Sequence, residues 1–104
     1  MTTAEIERTF ANFSDVKVDK TFREKLIAWS HKNQIFAILN PTANPLKLSL
    51  RCDPNLAKLL REKYESVLPG QHLNSRQWIT ILLTGQLSDD EVRDLIRHGY
   101  EIVT

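Results

Sequence analysis

Apolar residues recur along this chain at two periods, and the switches between them mark its elements. Near the start, Ile6, Phe10 and Phe13 fall at helical spacing behind Thr2 and Glu5, whose separation is that of a capping box. The pattern predicts a helix over residues 1–13. Ser14 to Thr21 gathers turn formers and charges and reads as a connection. From Phe22 the texture becomes aromatic and β-branched. Phe22–Ser30 and Ile35–Asn40 flank His31-Lys32-Asn33-Gln34, which predicts a hairpin with a four-residue loop. A proline-bearing turn, Asn40 to Pro45, follows. Then Leu46, Leu48, Leu50 and Cys52 alternate with Lys47, Ser49 and Arg51, the cleanest period-two run in the chain. Such a strand buries one face and wets the other.

Asp53-Pro54 opens a second helix, with a carboxylate at the N-cap and proline at the first helical position. Leu56, Leu59, Leu60 and Tyr64 are its expected apolar face, and Pro69-Gly70 its stop. A polar loop, Gln71 to Gln77, leads into a fourth strand, Trp78–Leu83. Ser88-Asp89-Asp90-Glu91 is a further capping box, with acids at the positive end of the helix dipole. Leu87 and Val92 are spaced for a hydrophobic staple, and Val92, Leu95, Ile96 and Val103 line the last helix. The order is α-β-β-β-α-β-α. Sequential hairpins and three amphipathic helices predict an α+β domain, an antiparallel sheet with helices packed on one face.

At 104 residues the chain is long enough for one core, and residues 1–104 read as a single domain. The 41% hydrophobic and 26% charged fractions exclude disordered and collagen-like classes. No apolar run approaches the roughly 20 residues of a membrane span, and no leader pattern is visible, so a cytoplasmic protein with no membrane contact is expected.

Catalytic signatures are missing. There is no GxGxxG, Walker lysine loop, HExxH or CxxC, and paired Asp89 and Asp90 are accounted for by capping. His31, His72 and His98 lack ligand spacing and read as solvated surface residues. The single cysteine, Cys52, ends a strand on its apolar side and reads as a small buried hydrophobe. The expectation is a non-enzymatic protein with no cofactor and no metal site.

Charge distribution changes that picture where net charge, a formal +1, does not. Residues 17–76 carry eleven basic and five acidic residues, a net +6, between acidic flanks. Lys47 and Arg51 share the wet face of one strand, Arg23 and Lys25 are expected to share a face of another, and Arg76 precedes Trp78. Basic side chains interleaved with aromatics on an open sheet are what phosphate contact and base stacking require. They are equally what the wet face of many sheets carries.

Leu48-Ser49-Leu50-Arg51-Cys52-Asp53-Pro54, followed by the run from Pro69 to Trp78, resembles the MmcQ/YjbR family of small bacterial proteins. In that family a strand reading L-K-C-D-P leads into a helix, and a loop reading P-G-x-H-M-N-K-x-H-W leads into the last strand. Pro69, Gly70, His72, Asn74, Arg76, Trp78 and Thr80 occupy motif positions. Ser75, Gln77 and Ile79 depart from it, where the family often has lysine, histidine and asparagine. The resemblance runs from about Gln34 onward, while the first forty residues match loosely. It implies a CyaY-like fold and a double-wing DNA-binding motif.

The reading that follows is DNA binding, weak and non-specific, through hairpin wings and the basic sheet face. Its candidate contacts are Lys47, Arg51, His72, Asn74, Arg76 and Trp78. His72 and Asn74 are expected to fix their loop, and Trp78 to be partly buried on the face away from the helices. The alternative is an adaptor that binds a protein partner through the same open sheet, without nucleic acid. A frataxin-like metal role ranks third, because Glu5, Glu7 and Asp15 are too few to hold hard cations. A monomer is expected.

Overall fold

All three helices start where local chemistry tells them to. Glu5 N donates to Thr2 Oγ1 at 3.2 Å, and Thr2 N donates to Glu5 Oε1 at 3.0 Å, closing the box that opens α1, Thr3–Ala11. Asp53 accepts from the amides of Asn55 and Leu56 at the start of α2, Pro54–Lys63. Ser88 and Glu91 repeat the box for α3, Asp89–Ile102. The computed structural model describes residues 1–70 and 73–103. Between the helices run β1 (Val16–Phe22), β2 (Leu26–His31), β3 (Gln34–Asn40), β4 (Lys47–Arg51), β5 (Val67–Pro69) and β6 (Trp78–Leu82).

The six strands form one sheet in the order β1-β2-β3-β4-β6-β5, with every neighbouring pair antiparallel. The expected elements appear in their expected order, and two strands join them. β1 occupies what reads as a connection, because an edge strand with a charged wet side shows little alternation. β5 is three residues long, too short for any period to register. It also means that α2 stops at Lys63, well before Pro69-Gly70.

The segment Phe22–Ser30 is two strands joined by a turn, rather than one strand. Arg23, Glu24 and Lys25 all take positive φ, at 41°, 45° and 73°. Arg23 and Lys25 therefore sit in a turn and not on a strand face. The β2–β3 loop is two residues, since His31 pairs with Gln34. Lys32 and Asn33 supply its left-handed pair, at φ 52° and 64°, the signature of a tight hairpin.

Register places the core. Leu48 and Leu50 of β4 stand opposite Ile81 and Ile79 of β6, and opposite Leu39 and Ala37 of β3. All are buried, together with Ile6 and Phe10 of α1, Ala57 of α2, and Val92 and Ile96 of α3. The helices thus cover a single face. A bulge between Trp29 and Ser30 turns Phe36 as well as Ala37 toward this core. There Phe10 stacks on Trp29 with centroids 4.1 Å apart and meets Phe36 at 5.6 Å. On α2 the buried residue is Ala57, while Leu59 is 62% exposed and off the apolar face. Gly99 brings α3 onto the sheet: a Cβ there would stand 3.0 Å from the Arg51 carbonyl oxygen.

Candidate nucleic-acid interface

The face away from the helices follows from the same register. Along β4, Lys47, Ser49 and Arg51 alternate with the buried leucines, so all three point outward. Lys47 and Arg51, four residues apart, stand roughly 13 Å apart along the strand. Their neighbours on β6 are Leu82, Thr80 and Trp78. A row Asp19, Ala28, Ile38, Ser49, Thr80, Leu68 crosses the whole sheet between them.

This face is only partly open. Ala28, Ile38 and Trp78 are buried there in a second, smaller cluster, with Phe22, Leu26, Ile35 and Leu73 packed on them. Leu73 comes from the loop before β6, and Phe22 and Leu26 flank the β1–β2 turn. Trp78 lies on the expected face but retains 7% of its exposure, deeper than the partial burial expected. Its indole is not presented for base stacking. Instead it carries Arg51, whose guanidinium carbon lies 5.8 Å from the ring centroid. Arg51 Nε is buried without a hydrogen-bond partner among the described residues.

Asn74 fixes its loop, as expected. Its Oδ1 accepts from Arg76 N at 3.0 Å, and its carbonyl accepts from Gln77 N at 3.0 Å. Arg61 on α2 donates to the Ser75 carbonyl at 3.1 Å, and Cys52 N donates to the Gln77 carbonyl at 2.9 Å. The loop is thereby tied to the end of β4, and Arg76 stands exposed on it. His72 lies outside the described residues. Lys47 and Arg51 thus share the outer face of β4, Arg76 lies in the loop that leads to their β6 neighbour Trp78, and Arg23 lies in the β1–β2 turn. The two hairpin tips, Arg23–Lys25 and Lys32-Asn33, lie at opposite ends of β2. On the helical side α3 alone carries five acids against two arginines, while Asp19 stands in the outer-face row and Glu24 in the β1–β2 turn.

Two histidines depart from the expectation of a solvated surface. His31 is buried; its Nδ1 donates to the Asp15 carbonyl at 2.8 Å, and its ring lies 4.5 Å from that of Tyr100. His98 Nε2 accepts from Asp53 N at 3.0 Å, linking α3 to the cap of α2. Cys52 is buried as expected, and burial first, then the Asp53 carboxylate, pushes its thiol up to about 11. Among the described residues no cluster of histidine, cysteine and acid groups is placed to hold a metal ion, and no helix is long and apolar enough to cross a membrane.

A helix-backed, fully antiparallel sheet of this order defines a class of small α+β domains represented by solved structures. A Deinococcus radiodurans protein with a DUF419 domain superposes with a TM-score of 0.94 at 27% identity, over 99% of this chain and 78% of that one. A Pseudomonas syringae protein matches in fold with a TM-score of 0.83 at 22% identity, over 100% of both chains. The family model YjbR matches residues 11–102, and the chain belongs to the YjbR family. That match includes most of the first forty residues, where the motif resemblance is loose. Escherichia coli K12 protein YjbR, named as uncharacterized, is 36% identical over 67 residues, or 64% of this chain and 57% of that protein. Bacillus subtilis YyaQ, also named as uncharacterized, is 33% identical over 55 residues, 53% of this chain and 46% of its own. The matched stretches span about half the length of these relatives.

Proposed function

We propose that this protein binds DNA weakly and without sequence preference, acting by contact rather than by chemistry. The observation that supports this reading is the alignment of Lys47 and Arg51 on the outer face of β4, with Arg76 beside one end and Arg23 toward the other. The roughly 13 Å between Lys47 and Arg51 corresponds to the rise of about four base pairs along a duplex axis. No acid lies between them on β4. Phosphate contact by such a band needs no aromatic stacking, which agrees with a buried Trp78 acting as the support for Arg51. Asn74 serves by shaping the loop that presents Arg76, and His72 is a further candidate contact from the sequence.

The test is a fluorescence-anisotropy titration of a labelled duplex at low salt. Lys47→Glu with Arg76→Glu, which leaves the packed Arg51 in place, is expected to weaken binding about tenfold or more through lost phosphate contacts. Unchanged affinity in a folded variant would contradict the reading. Binding of a protein partner through the same face is the competing outcome.

A further inference from the structure

The outer face also holds a cavity of about 250 Å³, set between the β1–β2 turn, the middle of the sheet and the loop before β6. Its walls are apolar: Leu26, Ile38 and Leu73 line it. Its floor is polar, since Ser49 Oγ and Thr80 Oγ1 are hydrogen-bonded there at 2.9 Å. Arg23 and Lys47 complete the lining from two sides, and among the described residues neither joins an ion pair and no acid lines the cavity. The left-handed turn at Arg23, Glu24 and Lys25 sets the Arg23 guanidinium carbon 5.2 Å from the Phe22 ring centroid, where the charge is held beside an apolar surface.

Such a lining selects by charge and by shape together. Two cations without acidic partners favour an anion, and carboxylates suit a guanidinium and an ammonium acting as donors. Apolar walls favour a ring or branched chain over a fully hydrated ion. The volume is on the order of eight waters, the room of one ring and one carboxylate. We propose that this cavity is a binding site for a compact amphiphilic monoanion, a carboxylic acid of about the size of benzoate. The site is separate from the DNA reading, although Arg23 and Lys47 serve both.

Benzoate is the probe, titrated into ¹⁵N-labelled protein, with benzamide, benzylammonium and inorganic phosphate as matched controls. Benzoate is expected to move the amide signals of Ile38, Ser49 and Thr80 saturably, with a Kd in the submillimolar to millimolar range set by its few atoms. Arg23→Ala with Lys47→Ala should weaken it about tenfold or more, while the spectrum stays folded. Benzamide and benzylammonium should bind at least about tenfold more weakly, since they lack the anion. Absence of saturation with benzoate overturns the proposal. So does equal binding of benzamide, which removes the anion requirement, or of phosphate, which removes the apolar one. No nucleic acid enters the experiment, so its failure leaves DNA binding standing, and failure to bind DNA leaves this site standing.

Discussion

Gly70 lies so close to Trp78 that a Cβ built on it would stand 2.6 Å from the tryptophan Cβ. The backbone joins the same two residues, with Gly70 N donating to the Trp78 carbonyl at 3.3 Å. The glycine ahead of the loop and the tryptophan after it are therefore one packing unit, which gives a physical reason for the Pro-Gly to Trp spacing. Gly70→Ala forces atoms apart in a closed site, and a loss of about 1–3 kcal/mol is expected, as for other overpacked positions. Chemical denaturation checks it. A loss below a few tenths would mean that the strand shifts freely.

Trp78 itself holds the smaller cluster together. Trp78→Ala should cost about 3–5 kcal/mol, the range for large buried aromatics. Trp78→Phe keeps apolar volume and should cost less, while removing much of the surface under Arg51. Near-wild-type stability in Trp78→Ala would show the indole to be dispensable for folding and available for contact.

The β2–β3 turn is built from residues poorly suited to it. Lys32 at φ 52° carries the Cβ penalty of the left-handed region, and Asn33 at φ 64° carries a smaller one. Lys32→Asn with Asn33→Gly restores the preferred pair for this turn, and a gain of about 1 kcal/mol is expected. The denaturant midpoint measures it, and destabilisation would contradict the two-residue loop.

Cys52 predicts a change at alkaline pH. Its thiol stands at about 11 in the fold against about 9 when unfolded, because burial disfavours the thiolate. Between those values the unfolded chain gives up a proton that the folded chain keeps. The contribution is full below about pH 9 and falls as pH rises toward 11, reaching a loss of about 2–3 kcal/mol. Denaturation of wild type and Cys52→Ala at pH 7 and pH 10 isolates it: the wild type should lose more. Parallel loss in both would assign the change to other groups.

Legibility in the sequence tracks how local the cause is. Thr2 with Glu5, Asp53 with Pro54, and Ser88 with Glu91 set helix starts within four residues, and all three hold in the structure. The alternation around Lys47 and Arg51 gave both strand and outward face. The β1–β2 turn escaped detection because Arg23-Glu24-Lys25 contains no glycine or proline. The burial of Trp78 depends on Leu73 and Phe22, which arrive from separate loops. His98 meets a partner 45 residues away, and His31 one 16 residues away, distances that no periodicity encodes. Of the candidate contacts, Lys47 and Arg51 were readable as a pair, whereas the role of Trp78 beneath Arg51 required the β4–β6 register.

Salt dependence tests the central claim most directly. If Lys47, Arg51, Arg76 and Arg23 meet phosphates, about four counterions are released on binding a duplex, and the logarithm of affinity should fall against the logarithm of salt with a slope of about −3 to −4. The Kd at physiological salt should be micromolar or weaker, as for other non-specific binders. Lys47→Glu with Arg76→Glu should flatten that slope by about two contacts' worth while the fold persists by circular dichroism. Absence of association with duplex or single strands at low salt would contradict DNA binding, and the outer sheet face would then be tested as a protein-binding surface.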